Sequence, residues 1–178
     1  MAMIDALVQE LEQEARTTRR LLERVPNDQL GWKPHARSMS LGQLALHVAR
    51  VPGALALAST QSPFQAPQFV HPSAASTAEL IPALDESLAT AKRVLGGMSD
   101  ADLASTWRVV DGDRELMAVP RAAMLRSLML NHWYHHRGQL SVYLRQLNVP
   151  LPSIYGPSAD ENPFTQSADA RRSEVIAS

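Results

Sequence analysis

The chain has 178 residues and a mass of 19.5 kDa, with 45% hydrophobic and 20% charged residues, a size that buries one core and fits a single domain. It carries 17 Lys and Arg against 18 Asp and Glu, for a net charge of -1 and a pI near 6.6, so it offers no basic footprint for nucleic acid or an anionic membrane surface. It has no Cys, which excludes disulfides, thiolate metal sites and a cysteine nucleophile; any metal must bind through His, Asp or Glu.

From Met3 to Val25, apolar residues recur at steps of three and four between charged ones, which predicts an amphipathic helix ending before Pro26-Asn27-Asp28. The acids that enter from Asp5 onward are unlike a signal peptide, and no uninterrupted apolar run approaches the roughly 18 residues of a membrane span; a cytoplasmic protein is expected. A Pro/Gly-containing loop, 31–35, leads to Ser40-Leu41-Gly42-Gln43, a capping box that opens a second helix through Leu44, His47, Val51 and Ala58, kinked or interrupted at Pro52. Residues 62–72 hold three prolines and read as a connection. Ser76-Thr77-Ala78-Glu79 is a second capping box, heading a third helix that stops at Gly96-Gly97.

Thr106 to Ala118 switches to a short hairpin pattern around Asp111-Gly112-Asp113. Pro120 then suits the first turn of a last long helix, which Pro150 and Pro152 prevent from continuing past about Asn148. The sum is an all-α four-helix bundle with a short β-hairpin before the last helix. It forms one domain over 1–165, followed by a polar Ser/Ala-rich tail, 166–178, expected to fray.

The last helix carries His132-Trp133-Tyr134-His135-His136-Arg137-Gly138-Gln139-Leu140. At about 100° per residue, His132 and His136 fall one turn apart in the apolar stripe, with Gln139 beside them, whereas His135 lies on its flank. His47 lies near the apolar side of the second helix. Imidazoles at i and i+4 can share a divalent ion, and a third from a facing helix completes a three-nitrogen site with open positions. The same rings can instead be core histidines whose nitrogens are satisfied by hydrogen bonds.

Trp32-Lys33-Pro34, Ser38 to His47, His132 to Leu140 and the trailing Pro152 to Glu161 together resemble the DinB-like (DinB/YfiT) superfamily of metal-binding four-helix bundles. The resemblance implies a metal triad of His47, His132 and His136, a divalent ion (commonly nickel or zinc), and frequent homodimers. It also implies activities such as thiol-dependent S-transfer with a low-molecular-weight thiol, for which a Cys-free chain would take its nucleophile from the cofactor.

Around the triad, Gln139 is expected to orient a ligand histidine, and Arg137 to make a surface or dimer-contact ion pair. Gly42 and Gly138 are expected at close helix packing, Trp32 and Trp133 in the core or over the site mouth, and His135 in a structural role. Tyr155, Asp160 and Glu161 either fold over the site or dock the tail. His35 and His71 receive no role, and no catalytic residue is identified. The functional expectation is a metal-dependent enzyme of thiol-transferase or hydrolase type acting on a small molecule; its alternative is a non-catalytic, stress-associated metal- or ligand-binding protein. No carboxylate is placed in the core as a general base, which weakens the hydrolase, and neither nucleic acid nor membrane is an expected partner.

Overall fold

The computed structural model describes residues 3–68 and 70–165, so the expected fraying of 166–178 lies outside the described residues. Four long helical runs form the bundle: α1, Met3–Leu22; α2, Leu41–Ser59; α3, Leu80–Gly96; and a final run made of α5, Arg121–Met124, a π-helical stretch Leu125–Asn131, and α6, His132–Gln146. Between α3 and α5 lie a five-residue helix, α4, Asp100–Ala104, and the expected hairpin, β2, Thr106–Asp111, with β3, Arg114–Pro120. α2 packs between α3 and the last run, and α1 rests on α3 and α6. The core they enclose is built mainly from leucines, among them Leu11, Leu44, Leu84, Leu130 and Leu140.

α2 is the central element. Its 19 residues carry only Arg50 as a permanent charge, long and apolar enough to cross a membrane by composition, but most of its surface is buried among the other helices. The capping box forms as expected: the Ser40 hydroxyl accepts from Gln43 N–H at 3.2 Å, and Gln43 Oε1 accepts from Ser40 N–H at 2.9 Å. Pro52 lies inside the helix. Lacking an N–H, it leaves the Val48 carbonyl without its usual partner four residues on, and the Trp133 indole donates to that carbonyl at 2.8 Å. At Gly53 a Cβ would sit 2.7 Å from the Ser87 carbonyl oxygen, so only glycine lets α2 and α3 approach this closely.

Several expectations change in detail. The capping box at Ser76 does not form: Thr77–Glu79 make a single 3₁₀ turn, α3 begins at Leu80, and Glu79 accepts instead from Ala75 N–H, one residue too far back. The 62–72 connection holds a two-residue strand, β1, Phe64–Gln65, which pairs parallel with β2 to make a three-stranded sheet. α4 has no counterpart among the expected elements, although Ser99 and Asp102 form a full capping box at its start. Gly42 does meet Ser73 and Leu30 closely, but nothing lies within 4 Å of a Cβ at Gly138, which faces solvent.

The hairpin pairs Thr106 with Pro120 through Asp111 with Arg114, and Gly112 takes the positive φ of 58° that its tight turn requires. α6 ends at Gln146, and two residues on Asn148, with a φ of 58°, completes a pair of closing bonds, Asn148 N–H to Arg145 C=O and Val149 N–H to Leu144 C=O, both 3.0 Å. Pro150 comes next.

Candidate metal centre

His47 stands in the middle of α2, while His132 and His136 open α6 one turn apart. The Val48–Trp133 hydrogen bond joins the two helices one residue beyond His47 and one beyond His132, which brings the two histidines to the same level. His47 Nε2 and His132 Nε2 are 3.2 Å apart, and the three ring centroids lie 4.5–5.4 Å from one another. One nitrogen from each ring lies within 4.8 Å of the others. Two imidazole nitrogens on one tetrahedral ion, each at about 2.0–2.1 Å, stand about 3.3 Å apart, so the His47–His132 spacing already suits a shared ion.

All three rings are half-buried, which favours their neutral forms. Burial, with neighbouring His136 and His132 adding repulsion, brings His47 down to about 4. Burial likewise lowers His136 to about 4 against the opposing effect of the hydrogen bond it donates to Gln139, and it lowers His132. Neutral imidazole is the ligating form. Gln139 Oε1 lies 2.7 Å from His136 Nδ1 and can only accept, so Nδ1 carries the proton and Nε2 keeps its lone pair. The donor set is therefore neutral, oriented and rich in nitrogen, and it fits a borderline divalent ion.

His71 is the residue that sequence spacing misses. Its loop is tied to α2 by Gln43 Nε2, which donates to the His71 carbonyl at 2.8 Å, and its ring packs edge-on to His47 with centroids 5.5 Å apart. The capping Gln43 thus also holds a fourth imidazole beside the cluster. The only available signal lies in that glutamine one turn before His47, and nothing in the sequence links it to residue 71. His135 packs on His136 at 5.0 Å but stays exposed, on the flank as expected. His35 lies elsewhere, accepting from Arg37 N–H.

Arg137 corrects its expectation. It is 1% exposed, paired with Glu14 at 2.6 Å, donating to Thr18 Oγ1 and the Glu14 carbonyl at 3.2 Å and to the Tyr155 hydroxyl, and it lies between the rings of Tyr134 and Tyr155 at 5.1 and 5.0 Å. Its wheel position is a surface one for α6 alone; α1 and the trailing segment cover that side. Tyr155, Asp160 and Glu161 therefore dock the segment after α6 onto Arg137, Arg145 and Arg20. Trp133 is fully buried core, and Trp32 packs edge-on to Tyr143.

A family model described as the DinB family matches residues 1–168. The Bacillus subtilis protein YrdA is 26% identical over 162 residues, covering 89% of this chain and 91% of that protein. Among solved structures, a DinB-like protein from Bacillus cereus ATCC 10987 superposes with a TM-score of 0.67 at 20% identity, over 85% of this chain and 97% of that one. YfiT from Bacillus subtilis, described as a probable metal-dependent hydrolase with an unusual four-helix bundle topology, superposes with a TM-score of 0.60 at 16% identity, over 82% and 88%.

Proposed function

The chain belongs to the DinB family, and from that premise we propose that it is a metal-dependent enzyme of thiol-transferase or hydrolase type, with His47, His132 and His136 as ligands of a nickel or zinc ion. The observation that carries this reading is the convergence of three neutral imidazoles from facing helices, with the tautomer of His136 set by Gln139. A bound ion would supply Lewis acidity, polarising a carbonyl or lowering the pKa of a water or thiol. The protein's own residues do the rest. Burial keeps the ligand nitrogens unprotonated, Gln139 fixes one ring, and the Trp133–Val48 bond holds α6 against α2.

With no Cys in the chain, a sulfur nucleophile would come from a low-molecular-weight thiol. A cytoplasmic location and a homodimer belong to the same proposal. The second reading, a non-catalytic stress-associated metal- or ligand-binding protein, is favoured by one observation: the histidine cluster found among the described residues contains no carboxylate to act as a general base.

The test is elemental analysis of untagged protein. Wild type is expected to hold close to one divalent ion per chain and His136→Ala little. Gln139→Ala should still saturate but bind about 10–100-fold more weakly. Equal metal content in wild type and the His132→Ala/His136→Ala double variant would refute the ligand set. With metal in place, conjugation of chlorodinitrobenzene by a small thiol would select the transferase, and ester hydrolysis without thiol the hydrolase. Neither activity would select the binding protein.

A further inference from the structure

One cavity of about 440 Å³ opens between α2, the three-stranded sheet and the π-helical stretch, and it reaches the metal centre at His132. Its walls are apolar: Leu55 of α2, Phe64 of β1, Trp107 and Val109 of β2, Met117 of β3 and Leu128 of the π-helical stretch. Among the described residues no charged side chain lines it, and His132 is its sole titratable group. Trp107 offers the cavity no hydrogen bond, because its indole N–H is spent on the Ala58 carbonyl at 3.0 Å, and Phe64 stacks on its ring at 5.9 Å. Leu116 and Met117 at the rim are 46% and 39% exposed, large apolar groups held open to solvent.

We propose that this cavity receives an uncharged alkyl or aryl group of the substrate, whose polar reacting group then lies against His132. The reacting end rests on the metal-site reading above; the cavity does not. A chamber of this size is about three times the engineered apolar cavity of on the order of 150 Å³ that admits benzene, which leaves room for a bicyclic ring or a medium alkyl chain. It also has the make-up of a ligand pocket, mostly apolar with a single converging polar group. A charged group inside would lose its hydration with nothing on these walls to replace it, so charge must remain at the mouth or at the histidines.

The experiment titrates the metal-free full-length protein with the uncharged fluorophore N-phenyl-1-naphthylamine. A saturable emission increase at one site per chain is expected. It should weaken at least tenfold in Ala54→Phe, which fills the cavity from the exposed side of α2, and in Leu116→Asp, which places a charge at the rim; circular dichroism confirms that both variants are folded. No saturable increase, or equal binding in wild type and both variants, overturns the proposal. Binding that disappears as the chain dimerises in sedimentation assigns the cavity to a second copy and overturns it as well. Nickel and zinc stoichiometry, measured separately, distinguishes the failures: a chain that binds the probe but neither metal refutes only the metal reading, and one that binds either metal but no probe refutes only the cavity.

Discussion

The histidines determine how the metal-free protein responds to acid. In the unfolded chain each titrates near the usual 6.5, whereas folding holds His47 and His136 near 4 and also lowers His132. Between those values the unfolded chain binds more protons, so stability is complete above about pH 6.5 and is lost as pH falls towards 4. Thermal melts of the metal-free protein between pH 7.5 and 4.5 should fall by several degrees, and His47→Ala should flatten the dependence. Protons compete with metal over the same window, so metal affinity should drop there too. The triad itself is legible in the sequence because it depends on helical spacing, which is local. His71 and the partners of Arg137 are not, because they depend on which loop or helix covers which face.

Among the elements, the seam between α2 and the last run carries the positioning. Pro52 frees the Val48 carbonyl and Trp133 claims it. Replacing Trp133 by Phe leaves that buried carbonyl unpaired, and a loss of about 1–3 kcal/mol is expected in chemical denaturation. In a Pro52→Ala background the restored backbone N–H can satisfy the carbonyl, so the same substitution should cost measurably less; additive effects would refute the coupling. The interruption at Pro52 is readable from sequence, whereas the residue that answers it, Trp133 on another helix, is not. The Ser40 capping box, the hairpin and the proline stop after α6 are equally readable, since each depends on a few neighbouring residues. The box at Ser76 fails because the same local pattern also permits the 3₁₀ turn that forms there.

For the molecule as a whole, the chain beyond α6 turns back to fasten α1 to α6. Arg137, Glu14 and Tyr155 form the centre of that fastening, flanked by the Arg145–Asp160 and Arg20–Glu161 pairs. Because Arg137 and Glu14 are both buried, removing one strands the other: Arg137→Ala should cost about 3–5 kcal/mol in equilibrium unfolding. The volume-keeping single variant Arg137→Met should lose nearly as much, and the double variant Arg137→Met/Glu14→Leu should recover most of it, an outcome that a simple loss of packing would not produce. The all-α architecture is readable from the periodicity of its four long segments. The third strand and the apolar cavity it encloses are not, because β1 is only two residues long and pairs with a strand far along the chain, Phe64 with Val109.

The π-helical stretch Leu125–Asn131 places one surplus residue per turn immediately before His132. A π turn spends one residue more than an α turn on the same rotation, so α5 and α6 face as they would in an uninterrupted helix one residue shorter. The site therefore tolerates a shorter chain at this one place. Deleting Ser127, an exposed residue in that stretch, should let ordinary α-helix run through with His132 and His136 still in line with His47. Such a chain should remain helical by circular dichroism and keep its metal uptake, whereas deleting the exposed Ala123 as well leaves no surplus to draw on, turns α6 by about 100° and should abolish uptake; loss of uptake in the single deletion would refute this reading.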